Sequence, residues 1–153
     1  MRIIDLFSGV GGLTFGFYYR KYKDHFVRNR KNQFVFANEY NPLAAKAYSE
    51  NYPDIPMKNC DIKSLKESDI RKWIGSEPVD LIIGGPPCQS FSTVGQRNYD
   101  EKAQLYTEYL RVLKIARPKM FLFENVRGIL SMREIFYKRD AAGNILYELK
   151  DVE

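Results

Sequence analysis

The sequence predicts an α/β fold, a doubly wound and mostly parallel sheet with strand order 3-2-1-4-5. Three observations predict it. Short apolar runs alternate with stretches of helical character. The runs are apolar throughout rather than alternating, as strands covered on both faces require. Glycine-rich, acidic and proline-rich turns fall at the carboxyl ends of these runs, where open α/β sheets bind ligands.

Each element has a local reason. Arg2–Phe7 is the first strand, followed by Ser8-Gly9-Val10-Gly11-Gly12 and a helix over about Leu13–Tyr22. Phe34–Ala37 is the second strand. Asn41 caps the next helix, Pro42 occupies its first position, and Pro53 stops it after about Asn51. Met57–Asn59 is a short third strand. Ser64-x-x-Glu67 reads as a capping box for a helix ending at Gly75. Val79–Ile83 is the fourth strand. Leu105, Tyr109, Val112, Leu113 and Ala116 line one face of a helix that Pro118 ends, and Met120–Phe123 is the fifth strand. Phe136–Lys138 and Ile145–Leu149 flank Asp140-Ala141-Ala142-Gly143-Asn144, a candidate β-hairpin.

With 153 residues, 44% of them hydrophobic, the chain has the material for one packed domain or part of one. Cys60 and Cys88 are far apart and form no CxxC pair, which predicts a reduced, cytoplasmic protein without a disulfide framework or a metal site. Asp5 interrupts the N-terminal apolar run, so neither a signal peptide nor a membrane span is expected. His25 is the single histidine and sits in no motif, which leaves little basis for a Ser-His-Asp or Cys-His mechanism. The formal charge is +5. Arg20, Lys21, Lys23, Arg28, Arg30 and Lys31 against Asp24 supply that whole excess within twelve residues, and the interleaved Tyr22 and Phe26 suit contact with a polyanion.

The candidate chemistry lies at the strand ends. Pro86-Pro87-Cys88-Gln89 follows the fourth strand and Gly84-Gly85, placing one thiol on a loop whose two prolines fix φ and remove two donors. The glycine loop opens a helix, where backbone amides can hold an anion, although Thr14 stands at the place of the third dinucleotide glycine. Glu39, at the end of the second strand, suits a pair of ribose hydroxyls. Asp61, after the third, suits an exocyclic amine. Together with the glycine loop they describe an adenosine nucleoside with an anionic group at the helix start.

These residues resemble a known family. Asp5-Leu6-Phe7-Ser8-Gly9-Val10-Gly11-Gly12, Asn38-Glu39, Asp61-Ile62, Gly84-Gly85-Pro86-Pro87-Cys88-Gln89-Ser90-Phe91-Ser92 and Glu124-Asn125-Val126 are similar, in order and spacing, to the N-terminal motifs of the DNA (cytosine-5) methyltransferases. The resemblance implies a Rossmann-like methyltransferase fold and S-adenosyl-L-methionine as cofactor. It places Phe7, Ser8, Gly9, Gly11, Gly12, Glu39, Tyr40, Asp61, Ile62, Pro86 and Leu105 around that cofactor. It implies Cys88 as the nucleophile that adds to carbon 6 of a flipped cytosine, and Glu124 as its partner near ring nitrogen 3. Ser90, Ser92, Gln96 and Arg97 fall in a segment similar to the loop that closes over DNA.

The resemblance covers roughly residues 1 to 135 and corresponds to the N-terminal part of a catalytic domain. The family's Gln-x-Arg-x-Arg motif, target recognition domain and C-terminal motifs are not among these residues. The expectation is a fragment, or one part of a split restriction-modification enzyme whose second chain supplies the missing pieces, inactive in isolation. A transfer RNA cytosine-5 methyltransferase and an inactive cofactor- or nucleic-acid-binding remnant are the alternatives. A nicotinamide-dependent oxidoreductase fits less well, because the glycine pattern is incomplete.

Overall fold

The structure, a computed structural model, describes residues 1–87 and 105–125 together with the backbone of 133–139 and 145–151. Residues 1–86 and 105–124 form one compact unit. Its elements are β1 (Arg2–Leu6), α1 (Gly12–Tyr18), β2 (Tyr19–Tyr22), β3 (His25–Arg28), β4 (Gln33–Glu39), α2 (Pro42–Asn51), β5 (Met57–Asn59), a 3-10 turn (Ile62–Ser64), α3 (Glu67–Ile74), β6 (Leu81–Gly84), α4 (Leu105–Ala116) and β7 (Met120–Phe123). In the second unit, β8 (Arg133–Arg139) and β9 (Ile145–Asp151) pair antiparallel, the expected hairpin at greater length.

Five strands form one parallel sheet ordered β5-β4-β1-β6-β7. This is the expected 3-2-1-4-5 order once β2 and β3 are set aside as a separate antiparallel pair. A bulge between Ile3 and Ile4 shifts the register from Ile3↔Phe34 to Ile4↔Phe36, so Val35 is the extra residue. The shift keeps Phe34 and Ala37 on one face with Ile3, and Phe36 on the other with Ile4.

Side chains alternate across the sheet and build two cores. Ile4, Leu6, Phe36, Ile82 and Val79 pack with Ile70 of α3 and Tyr109, Val112 and Ile115 of α4. Ile3, Phe34, Ala37, Leu81 and Ile83 pack on the other face with Tyr18 of α1, Tyr48 of α2 and Tyr52 just beyond it. Asn41 caps α2 as expected, its Oδ1 accepting from the Leu43 and Ala44 amides at 2.9 and 3.2 Å.

Two sequence expectations fail locally. The first helix does not reach Tyr22; it ends at Tyr18, and the next residues turn into the β2–β3 hairpin. Tyr19 and Tyr22 favour extended backbone, Lys23 adopts the left-handed conformation at the turn (φ 53°), and Phe15 of α1 packs its ring 5.1 Å from both Tyr19 and Phe26. The Ser64–Glu67 capping box does not form. Asp61 starts a turn earlier by accepting from the Lys63 amide at 2.9 Å, the Ser64 hydroxyl donates to the Asp61 carbonyl at 2.6 Å, and Glu67 pairs instead with Arg71. Among the described residues no helix is long and apolar enough to cross a membrane.

Candidate cofactor and active site

A parallel sheet brings the carboxyl ends of its strands to one edge, and Phe7 to Gly12, Glu39, Tyr40, Asp61, Pro86 and Glu124 lie at or just after those ends in strand order. Phe7 leaves β1 with φ 55°, which ends the strand one residue earlier than expected. Ser8 donates its amide to the Asn38 carbonyl at 3.1 Å, and the Gly11 amide donates to Ser8 at 2.9 Å. Gly11 has φ 94°, and a Cβ there would lie 2.1 Å from the Tyr52 ring, while the Tyr52 hydroxyl donates to the Gly11 carbonyl at 2.8 Å. Only glycine fits that corner. Gly9 also has positive φ (55°), yet a Cβ on Gly9 or Gly12 would meet nothing within 4 Å. The loop is locked beneath and open above.

Glu39 ties two loops together. One carboxylate oxygen accepts from the Gly9 amide at 2.8 Å and the other from the Asn41 amide at 2.7 Å. The Ser8, Gly9 and Gly11 amides are therefore engaged within the protein, rather than all held ready for an anion. Each Glu39 oxygen keeps a second acceptor direction for a hydroxyl. Neighbouring Tyr40 is exposed, as are Val10 and Leu43, which leaves apolar surface at this edge.

Two asparagines set the next turn. Asn38 is 2% exposed, and its amide nitrogen donates to the carbonyls of Lys58 and Cys60, both at 2.9 Å. Asn59 donates to the carbonyls of Glu39 and Tyr40 at 2.8 and 3.1 Å. Asp61 stands exposed, with one oxygen used by its own turn. Ile62 is in the core. Arg111 of α4 reaches under this turn to the carbonyls of Leu65 and Ile62 at 3.0 and 2.9 Å.

Gly84 is required by its neighbours, and Gly85 lies close to Glu124. A Cβ on Gly84 would lie 2.6 Å from the Leu6 carbonyl oxygen and 2.9 Å from the Tyr109 ring. A Cβ on Gly85 would lie 2.7 Å from a carboxylate oxygen of Glu124. Glu124 itself is exposed just beyond β7, its amide donating to the Gly84 carbonyl at 2.9 Å. The Tyr109 hydroxyl donates between β6 and β7, 3.1 Å from the Ile82 carbonyl and 3.0 Å from that of Leu122, and so fixes the strands that carry Gly84 and Glu124. Pro86 is buried, and Leu105 begins α4 packed against the core. Cys88, Ser90, Ser92, Gln96 and Arg97 lie outside the described residues.

One buried acid supports the glycine loop. Asp5 is 1% exposed in β1; the Thr14 hydroxyl bonds it, and Tyr48 bonds Thr14 at 2.9 Å. Burial pushes the Asp5 carboxyl up to about 7, against the pull of the Thr14 and Tyr48 hydroxyls and with a small push from Glu39. Its Oδ1 and the Ser8 hydroxyl, both buried, have no hydrogen-bond partner among the described residues. Burial likewise raises the Tyr48 and Tyr109 phenols.

Sequence reading missed these supports. Thr14 registers only as a missing glycine, and Asn38 only as part of a motif. Tyr48 and Tyr52, four apart around the end of α2, are the one signal that points to them, because an aromatic pair at that spacing faces the sheet. Among the described residues no group of three His, Cys, Asp or Glu is placed to hold a metal ion.

The described residues fit the expected cofactor. Glu39 and Asp61 offer carboxylate oxygens that can accept from hydroxyl and amine donors and suit a cation, the loop surface above Gly9 and Gly12 is open, and exposed apolar side chains flank it.

Comparison with known proteins identifies the family. Residues 1–152 match the family described as C-5 cytosine-specific DNA methylase. Type II methyltransferase M.AgeI of Thalassovita gelatinovora is 42% identical over 135 residues, covering 86% of this chain and 29% of that protein. Type II methyltransferase M.NgoPII of Neisseria gonorrhoeae is 40% identical, covering 87% of this chain and 35% of that protein. A solved E. coli prophage protein, described as a DNA modification methyltransferase, superposes with a TM-score of 0.67 at 34% identity over 85% of this chain and 33% of its own. The chain spans about a third of the length of these relatives.

Proposed function

We propose, for a chain that belongs to the C-5 cytosine-specific DNA methylase family, that it forms the cofactor-binding and nucleophile-bearing part of an enzyme methylating carbon 5 of cytosine in DNA. The placement of Gly9, Glu39, Asp61, Gly85 and Glu124 along one sheet edge, in family order, supports this reading most directly. S-adenosyl-L-methionine supplies the methyl group. Glu39 holds the ribose hydroxyls, Asp61 the adenine amine, and Phe7, Tyr40, Ile62, Pro86 and Leu105 complete the surroundings of the nucleoside, with Ser8, Gly9, Gly11 and Gly12 at its methionine end.

In this reading the Cys88 thiolate adds to carbon 6 of the cytosine. The electron pair of the 5,6 double bond then becomes available at carbon 5, which is otherwise a poor nucleophile. Glu124 hydrogen-bonds ring nitrogen 3 and stabilises the charge that develops on the ring. After carbon 5 takes the methyl group, loss of its proton restores the double bond and expels the thiolate. A base inside a duplex is out of reach, so the target is flipped out first. Ser90, Ser92, Gln96 and Arg97 contact the phosphates around it. The two relatives are themselves named Type II methyltransferases, which supports a restriction-modification setting. The remaining length, on this or a second chain, reads the DNA sequence and closes the cofactor site.

The test is transfer of labelled methyl from S-adenosyl-L-methionine by the complete protein, with duplex DNA and transfer RNA offered separately. The expected product is 5-methylcytosine in DNA, lost at least a thousandfold in Cys88→Ser. Label confined to transfer RNA, or a Cys88→Ser protein that still methylates DNA, would contradict the proposal.

A further inference from the structure

The β2–β3 hairpin has two unlike faces. Cross-strand pairing puts Tyr19 and Arg28 together with Lys21 and Phe26 on one face, and Arg20 and Val27 together with Tyr22 and His25 on the other. The first face packs on α1: Phe26 lies against Phe15, and the Arg28 guanidinium sits 3.9 Å over the Tyr18 ring while pairing with Asp54 at 3.1 Å. The second face is turned away from α1. Arg20, Tyr22, His25 and Val27 open onto a concavity of about 860 Å³ that Arg28, Asn29, Arg30 and Lys31 also line.

This face is cationic and unpaired. Arg20, Lys23, Arg30 and Lys31 make no ion pair among the described residues, whereas Arg28 is spent on the fold. Tyr22 is 48% exposed and lies between Arg20 and Lys23, whose charges stand 5.7 and 5.8 Å from its ring. A hairpin that needed only to pack would not leave four cations and an aromatic ring in water with one acid, Asp24, among them.

Its place in the fold is equally informative. Arg28 donates to the Asn32 carbonyl at 3.0 Å, Asn32 precedes β4, and the N-terminal amine donates to the Lys31 carbonyl at 2.7 Å. The patch therefore sits at the amino ends of the strands. The glycine loop, Glu39 and Glu124 sit at the carboxyl ends, a strand length of roughly 17 Å away for five residues.

We propose that the Arg20–Tyr22–His25 face, with Lys23, Arg30 and Lys31, is a second duplex-DNA docking surface, holding the phosphates of a segment other than the one whose cytosine reacts. The choice of DNA rests on the proposed function above. The physical requirement is a polyanion with regularly spaced phosphates, which unpaired Arg and Lys side chains neutralise with release of counterions. Such a contact is indifferent to sequence and keeps the protein on DNA between targets.

The test uses the full chain and a labelled 24-base-pair duplex of A·T pairs only, which contains no cytosine to methylate. Arg20→Gln/Arg30→Gln/Lys31→Gln removes three cations from the patch; Lys66→Gln/Lys72→Gln/Lys114→Gln removes three exposed ones from α3, its N-cap and α4. At about 0.1 M salt the first variant is expected to bind at least tenfold more weakly, with the log–log salt slope reduced by about 2 to 3, and the second within twofold of the parent. Protection of Lys23 and Lys31 from acetylation by bound duplex is expected in the unmutated chain, so the outcome does not hang on how the variants fold. Equal losses in both variants, no loss in the first, absence of protection, or tighter hairpin-dependent binding of single-stranded RNA than of the duplex would overturn the proposal. Failure of methyl transfer would leave these readouts unchanged, so the two readings fail separately.

Discussion

The two faces of the sheet are built from different materials. On the α3–α4 face the core is mainly aliphatic, with Ile4, Leu6, Ile70, Val79, Ile82, Val112 and Ile115 nearly or fully removed from water. On the α1–α2 face Tyr18, Tyr48 and Tyr52 dominate, and the buried Asp5 and Thr14 lie among them. Aliphatic packing holds a sheet together but tolerates small shifts. Hydroxyl contacts fix single atoms: Tyr52 holds the Gly11 carbonyl, and Thr14 and Tyr48 hold Asp5 below the loop. The face that positions the glycine loop is therefore the richer in tyrosine hydroxyl contacts, whereas the mainly aliphatic face carries Tyr109 as its one core hydroxyl, spent on the β6–β7 strands.

The largest way to test that contrast is pH. Asp5 has a folded value of about 7 against 3.8 unfolded, so the folded state holds its proton more tightly. A raised acid contributes fully below the unfolded value and loses that contribution as pH climbs towards the folded one. Relative to Asp5→Asn, the parent is expected to lose on the order of 4 kcal/mol between pH 4 and pH 8. Denaturant melts of both proteins across that range check it. Taking the difference removes the opposite trends of Asp54 and Asp80, whose carboxyls are lowered. A flat difference would mean that Asp5 is not buried as described.

Next in size is the aliphatic face. Ile70→Ala, at a fully buried position on α3, should cost about 2 to 4 kcal/mol yet leave S-adenosyl-L-methionine affinity of the folded protein within twofold. Calorimetry above and below the melting transition separates the two quantities. A large affinity loss would blur the distinction between the faces.

The glycine loop sharpens it further. Gly11→Ala meets the Tyr52 ring and a left-handed φ, and is expected to cost about 2 to 3 kcal/mol; Gly9→Ala meets only the unfavourable φ and should cost about 1 kcal/mol. Thermal melts that rank the two variants the other way would contradict the loop geometry. Smallest in stability is Tyr52→Phe, about 1 kcal/mol for one hydrogen bond, but with a several-fold weaker cofactor affinity because the Gly11 carbonyl is released.

The strands and their order were legible because apolar runs, a glycine loop and acidic strand ends are local signals whose meaning does not depend on distant residues. The hairpin was not. Tyr19 to Tyr22 extends a helical stretch plausibly, and only the packing of Phe15 against Tyr19 and Phe26 decides for strand. Ser64 and Glu67 matched a cap pattern, but Asp61 competed for the same turn and won by bonding the Lys63 amide first. In the candidate site, Glu39 and Glu124 were legible as acids at strand ends. Their restraints were not: Glu39 holds Gly9 thirty residues away, and Tyr52 holds Gly11 across forty-one. Asp5 reads as an interruption of an apolar run until the fold places Thr14 and Tyr48 around it.

The most direct test of the proposed chemistry is covalent capture. The complete protein, S-adenosyl-L-methionine and a duplex containing its target with 5-fluorocytosine in place of cytosine should yield an adduct, because fluorine at carbon 5 blocks the proton loss that would release the thiolate. Peptide mass spectrometry should find the methylated fluorocytosine on Cys88, and only when the cofactor is present. An adduct on Cys60, or no adduct from protein that binds both duplex and cofactor, would contradict the assignment.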